Sequence, residues 1–394
     1  MIGPLDGIRV VELAGVGPGP FAVMVLADMG AEVVRVERGG GGLLPAGPRD
    51  VVARGRRSIR VDLKHDDGRA VVRDLVARAD VLLEGYRPGV AERLGLGPAE
   101  LLELNPRLVY CRMTGWGQDG PLATRAGHDL TYLARSGALA RFRRTGEKPL
   151  PPVNLLADLG AGSMVAVTGI LAALLARASS GVGQVVDAAI VDGVGYLSTF
   201  LTGLHQLGLW GAPPGQNLLD TGAPFYEVYA CADDDPAADH GRWVAVGALE
   251  EQFYAELLER TGVRGLVSDL EWELLRPERR NDPRTWAAAK PVWARVFAAR
   301  TRDEWTAVFA DSDACVEPVL SPEEAEADAA AVARGALVDA AGVTVPAPAP
   351  RLSVTPLVPA AAPPDAGADT DAVLRELGRD DDDIVALRNS GAVG

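Results

Sequence analysis

Through the first 190 residues, short β-branched runs alternate with stretches of helical apolar spacing. Residues 8–13 (IRVVEL) and 33–37 (VVRVE) read as strands, and between them Pro20 in a first turn and Gly30 just past the end mark a helix. Segment 66–80 (DDGRAVVRDLVARAD) is predicted helical after an acidic start, and 81–84 (VLLE) follows as a strand. Pro98 opens a short helix, and 108–112 (LVYCR) is another strand. Residues 157–181 are predicted as one long apolar helix closed by Gly181, 185–189 (VVDAA) as a last short strand, with a further helix from 190. Strands alternating with helices predict a parallel sheet covered on both faces.

The pattern changes near residue 210. Residues 211–224 (GAPPGQNLLDTGAP) read as a linker, followed by strand-like runs at 225–231 and 242–249 that flank an acidic insert. Helical stretches to about residue 310 carry Trp272, Trp286, Trp293 and Trp305, which predicts a smaller α+β domain. Residues 324–340 are Ala/Asp-rich, an extended proline-rich segment follows, and the tail TDAVLRELGRDDDDIVALRNSG regains helical periodicity, so it is expected to dock. The chain divides into a large domain of residues 1–205 and 345–394, a small domain of 222–330, and linkers at 206–221 and 331–344.

A length of 394 residues fits two or three domains. With 48% hydrophobic and 24% charged residues, the composition excludes disorder as the main state. A formal charge of −15 makes nucleic acid a poor partner unless positive charge is clustered. Cys111, Cys231 and Cys315 are far apart, odd in number and without CxxC spacing, which argues against a disulfide framework or a cysteine zinc site and for a reducing cytoplasm. The opening MIGPLDGIRVVEL lacks a basic region followed by an apolar one, so no signal peptide is expected. The longest apolar run, Met164 to Ala176, is interrupted by Thr168 and Gly169 and falls short of the roughly 18 residues a span needs. A soluble cytoplasmic protein without membrane insertion is the expectation.

The turn AGVGPGP (14–20) sits where dinucleotide-binding folds hold pyrophosphate, with Glu37 at the distance of a ribose-binding acid. Position 20 is proline where the third glycine should stand, so a tight turn opening a helix is the simpler reading. ARGRRSIRVDLK (53–64) concentrates Arg54, Arg56, Arg57, Arg60 and Lys64, which with Arg38, Arg87 and Arg93 would cradle phosphates or else form a solvated loop. His128, in AGHDLTYL, is one of four histidines and the natural candidate base near neutral pH; a structural or solvated histidine is the alternative. Asp158, in PPVNLLADLGAG, is either a helix-start acid or a site carboxylate. Glu250 stands where a strand gives way to a helix, with the same two readings.

Taken together, GPLDGIRVVELAGVGPGPFAVMVLADMGAEVVRVER, VLLEGYRPGVAERLGLGP, YCRMTGWGQDGP, AGHDLTYL, PPVNLLADLGAGSM and GQVVDAAIVDG resemble the family III coenzyme A transferases, and within them the α-methylacyl-CoA racemase branch. GAPFYEVYACAD, VAVGALEEQFY and SDACVEPVL extend the likeness into the second domain. The resemblance implies an α/β fold: a Rossmann-like CoA-binding large domain plus a smaller α+β domain, in an interlocked homodimer. Its active site would lie between the large domain of one chain and the small domain of the other. It further implies His128 and Asp158 as an acid/base pair, Glu250 as the acid supporting the histidine, and Asn154 as the polar neighbour of the aspartate. Contacts to CoA would come from Arg38, from Val61, Asp62, Leu63 and Lys64, from Gly85, Tyr86 and Arg87, from Arg93, and from Gly127, Asp129 and Tyr132. No metal and no prosthetic group are implied; CoA enters as part of an acyl-CoA thioester substrate. The loop at 39–50, the acidic insert at 233–239 and a total of only five methionines depart from the family pattern.

Inverting the C2 centre of a 2-methylacyl-CoA needs a proton removed from one face and another delivered to the opposite face. Two unlike groups flanking C2 can exchange those roles, with preorganised donors, expected among backbone amides near Asp158, meeting the enolate oxygen. A CoA transferase with Asp158 as nucleophile is the alternative. The family's transferases generally lack the histidine, so GHD at 127–129 favours the racemase. A CoA-binding protein without turnover would need neither residue.

Overall fold

The computed structural model describes residues 3–38 and 50–394 except 236, 239 and 341. Most of the glycine-rich loop and two positions of the acidic insert therefore lie outside the described residues. The chain forms two units, one of Met1–Ser136, Pro152–Leu197 and Val332–Gly394, the other of Gly137–Pro151 and Ser198–Ala331.

The first unit is built on β1 (Arg9–Leu13), α1 (Pro18–Asp28), β2 (Glu32–Glu37), β3 (Arg56–Arg60), α2 (Asp66–Val76), β4 (Val81–Glu84), α3 (Val90–Arg93), α4 (Pro98–Leu104), β5 (Val109–Thr114) and α5 (Asp129–Arg135). A nine-residue π-helix, Leu155–Ser163, then runs directly into α6 (Met164–Ser180), followed by β6 (Gln184–Ala189) and α7 (Ile190–Leu197). The six strands form one parallel sheet in the order β3-β2-β1-β4-β5-β6. The predicted strands are all present within two residues of their expected bounds. Within this sheet one strand was not expected: β3 carries three arginines, which disguise it as a basic loop. Helix α1 is apolar nearly all round and almost wholly buried, the burial that such a helix needs. Pro18 at its first position gives up only an amide that a helix start leaves unpaired.

The predicted 157–181 helix begins earlier and is wound in two ways. Among the described residues, Leu155–Ser180 is the one helical stretch long and apolar enough to cross a membrane, at 26 residues and a mean hydropathy of 2.0. The interrupted run read from sequence is shorter because the π-helix adds nine residues in front of α6. Within the unit this stretch packs against α1, α7, β5 and β6.

The second unit contains α8 (Thr199–Gln206) and a three-stranded antiparallel sheet of β7 (Tyr226–Ala230), β8 (Trp243–Gly247) and β9 (Val316–Pro318). Helices α9 (Glu251–Thr261), α10 (Asp269–Leu275), α11 (Pro283–Phe297), α12 (Arg302–Phe309) and α13 (Pro322–Ala327) accompany it. Its core is aromatic: Trp293, Phe297 and Trp305 are buried, with Phe297 5.8 and 5.2 Å from the two indoles. Helix α14 (Ala329–Arg334) leads to the hairpin β10 (Leu337–Ala340) and β11 (Val343–Pro346). From Val332 the chain belongs to the first unit again, so the hairpin lies there together with helices α15 (Thr370–Glu376) and α16 (Asp381–Asn389). There Val393 bridges Val61, and the Ala392 carbonyl accepts from the Asp62 amide at 2.9 Å.

Candidate active site

A cleft of about 650 Å³ in the first unit opens at the carboxyl ends of β1, β4 and β5, where open α/β sheets bind ligands. His128 and Asp158 both line it. His128 is the N-cap of α5; the Thr131 hydroxyl accepts from its amide (2.9 Å) and donates to its carbonyl (2.8 Å), which fixes the backbone beneath an exposed imidazole. Asp158 lies in the first turn of the π-helix. The entry to that helix is strained, because Val153 (φ 40°) and Asn154 (φ 63°) both stand in the left-handed region. Strain and π-winding at one place mark functional segments. Their local result is that the Asn154 side-chain amide donates to Asp158 Oδ2 at 2.9 Å. Gly17 (φ 77°) packs opposite, and a Cβ there would come within 3.9 Å of Asp158 Oδ2.

Asp129 has a use that the sequence did not disclose. It is 2% exposed, and its Oδ2 accepts from the amides of Ala157 (3.1 Å) and Asp158 (2.8 Å). The Leu159 amide donates to the Asn154 carbonyl. The amides near Asp158 that were expected to meet an enolate oxygen are therefore already engaged at positions 157–159. The pKa of Asp158 is raised, mainly by burial; the Asn154 amide and His128 oppose the rise, and the negative charge of Asp129 adds to it. Tyr132 closes the wall: its ring lies edge-on to Trp116 at 4.8 Å, and a Cβ on Gly127 would sit 2.4 Å from it. Burial, with the Asp158 charge behind it, pushes the Tyr132 hydroxyl up to about 12.

Gly85, Tyr86, Arg87, Gly127 and Tyr132 line the same cleft as His128, Asn154 and Asp158. Arg38 is exposed just past β2, and its charge acts on the Tyr86 hydroxyl. Val61, Asp62, Leu63 and Lys64 follow β3, with Asp62 and Lys64 exposed, and exposed Arg93 ends α3 near Gly89. These residues, like Asp129, do not line the cleft itself. Arg125 does, and sequence reading passed over it; its signal was a cation three residues before His128.

The Gly85–Arg87 turn rests on a buried charge network. Glu84, wholly buried, accepts from the Tyr86 amide at 2.6 Å and from Arg112 at 3.1 Å. Arg112, its register partner on β5, reaches on to Glu92 at 2.9 Å. Burial raises the pKa of Glu84 against the pull of the Tyr86 amide and Arg112.

The basic stretch at 53–64 is largely neutralised within the unit. Arg54 is bound to Asp28, Arg56 to Glu12, and Arg57 to Glu376 through contacts of 2.7 and 2.9 Å. The first two pairs are buried, so neither guanidinium is an open phosphate ligand, and Arg57 is engaged as well. Glu250 belongs to the second unit, where it is exposed at the N-cap of α9 without capping the helix through its side chain. Its charge acts on the thiol of Cys315.

A profile described as CoA-transferase family III matches residues 5–370. The α-methylacyl-CoA racemase of Mus musculus is 47% identical over 391 residues, spanning 99% of this chain and 97% of the mouse protein. The enzyme of the same name from Homo sapiens is 45% identical, spanning 98% of this chain and 96% of the human one. Among solved structures, a CAIB/BAIF family protein from Brucella suis superposes with a TM-score of 0.80 at 28% identity, covering 96% of this chain and all of the other.

Proposed function

The chain belongs to CoA-transferase family III, and from that premise we propose that it is a racemase inverting the C2 centre of 2-methylacyl-CoA thioesters by 1,1-proton transfer through an enolate. One observation carries the reading: an imidazole and a carboxyl with a raised pKa line one cleft beside the Tyr86–Arg87 turn. Inversion needs a proton acceptor and a proton donor on opposite faces of C2, and two titratable groups can fill and exchange those roles. In one direction neutral His128 takes the C2 proton, the C2–H electron pair moves into the thioester as an enolate, and the protonated carboxyl of Asp158 delivers a proton to the other face. His128 ends protonated and Asp158 ionised, the state from which the other enantiomer is processed. The raised pKa of Asp158 favours the protonated form that the first direction needs, while Asn154 stabilises the ionised form that the second begins from.

CoA is substrate here. In this reading Arg38, Arg87, Arg93 and the Val61–Lys64 segment hold its phosphates and ribose, while Gly85, Tyr86, Gly127 and Tyr132 border its pantetheine arm. The strand order of the sheet is that of dinucleotide-binding Rossmann folds, which supports the placement of the nucleotide at the carboxyl ends of β2, β3 and β4. The protein acts as an interlocked homodimer in the cytoplasm, with Glu250 of the second chain orienting His128. Exposed apolar side chains, Leu175 at 74% and Val182 at 60% exposure among them, supply surface for such an assembly.

The test is one enantiomer of a 2-methylacyl-CoA in D2O without any carboxylic acid acceptor. The inverted product should form and carry one deuterium at C2. Transfer of CoA to an added carboxylic acid, with CoA trapped as a thioester on Asp158, would establish the transferase instead.

A further inference from the structure

We propose that Asp129 is the positioning residue of the acid/base pair: its buried carboxylate, next in the chain to His128, clamps the amides of Ala157 and Asp158 and so sets where the two reacting side chains stand relative to each other. The inference rests on the reading of His128 and Asp158 as that pair.

The need for a clamp follows from the winding. A helix leaves its first amides without intrahelical partners, and the π-type bond from the Leu159 amide back to the Asn154 carbonyl shows that this one does so for longer. Ala157 is wholly buried, so an amide left unpaired there would bear the full cost of its lost hydration. Asp129 supplies the acceptor from 28 and 29 residues away, with a charge that strengthens both bonds. Without it, the turn regains partners by rewinding towards the α form, and each side chain it carries rotates about the axis. Asp158 would then leave the position opposite His128. Because Asp129 is the first residue of α5 and His128 its cap, one residue ties both members of the pair to a common point.

The carboxylate has a second effect. The charged and polar groups facing Asp158 are His128, Asp129, the Asn154 amide and the Tyr132 hydroxyl. Of these Asp129 is the anionic one, and it favours the protonated Asp158. Position and proton affinity can be separated, since asparagine keeps an acceptor oxygen but not the charge.

The experiment compares Asp129→Ala and Asp129→Asn with wild type. Amide hydrogen exchange over residues 152–163, read by mass spectrometry, should accelerate in Asp129→Ala and stay near wild type in Asp129→Asn; this readout does not depend on activity. Inversion by Asp129→Ala should fall about a hundredfold in kcat with little change in KM, the scale of a misplaced reacting group. Asp129→Asn should recover most of kcat, and for the enantiomer whose proton Asp158 removes the acid limb of the pH–rate profile should move to lower pH. Raised KM with normal kcat would make Asp129 a CoA contact and overturn the proposal. Equal losses in both variants with an unmoved acid limb would make it merely structural, and unchanged exchange in Asp129→Ala would remove the clamp. If Asp129→Ala does not fold, the KM and acid limb of Asp129→Asn decide. A wild-type chain that fails to invert any 2-methylacyl-CoA refutes the racemase reading, while the exchange result still decides the clamp.

Discussion

Replacing Arg56 with methionine should destabilise the first unit more than any surface change. Its guanidinium is bound to the wholly buried Glu12, and it also donates to the carbonyls of Val52 (2.7 Å), Arg54 (3.2 Å) and Pro20. Methionine preserves much of the volume and removes every one of these donors, leaving a carboxylate whose other oxygen already lacks a partner. Breaking a buried pair from one side costs about 3–5 kcal/mol. For a unit of this size each kcal/mol lowers Tm by about 2–4 °C, so a fall of about 6–20 °C is expected. Far-ultraviolet circular dichroism is the suitable probe, because six of the seven tryptophans lie in the second unit and intrinsic fluorescence would follow that unit instead. The double variant Glu12→Leu, Arg56→Met should regain part of the loss, since replacing both ends of a buried pair by apolar groups is often near neutral. A loss below about 1 kcal/mol in the single variant would refute the view that this pair holds β1, β3 and the Pro20 turn together.

Three further outcomes are expected. Asn154→Ala removes a donor that favours ionised Asp158, so the Asp158 pKa rises further and, for the enantiomer that Asp158 deprotonates, the acid limb of kcat/KM moves to higher pH; an unmoved limb would separate Asn154 from the chemistry. Arg112→Gln loosens the Glu84–Tyr86 turn and should raise KM for an acyl-CoA about tenfold. The same variant should process the N-acetylcysteamine thioester, which lacks the nucleotide, like wild type, whereas equal damage to both substrates would indicate a general folding defect. Mixed His128→Ala and Glu250→Gln chains should regain up to about half the wild-type activity per heterodimer, because one of its two sites is then intact. Demonstrated heterodimers with no activity would place both residues in one chain's site, or reduce Glu250 to a helix-start acid.

The apolar periodicity discloses most of the sheet, because strands covered on both faces are nearly continuous β-branched runs. Strand β3 is the exception, and the reason is physical: Arg56 and Arg57 find carboxylates at positions 12 and 376, far away in sequence. A cluster of arginines reads as an open phosphate cradle until those partners are known. His128 and Asp158 are recognisable through the family likeness, and the cleft brings them together with Asn154. The role of Asp129 is illegible for the same reason as β3: a carboxylate that serves amides 28 residues away looks like any other residue of its motif. The left-handed backbone at Val153 leaves no mark either, since a β-branched residue disfavours a positive φ, although Asn154 beside it is of a type enriched there.

The claim that two different groups act on opposite faces of C2 is tested most directly by separating exchange from inversion. Each pure enantiomer of a 2-methylacyl-CoA is incubated in D2O with His128→Ala and with Asp158→Ala, and deuterium at C2 is measured together with configuration. The account predicts that neither variant inverts, and that Asp158→Ala still exchanges the α-proton of the enantiomer served by His128 while His128→Ala does so only for the other. Exchange of both enantiomers by one variant, or inversion that survives loss of either residue, would contradict it.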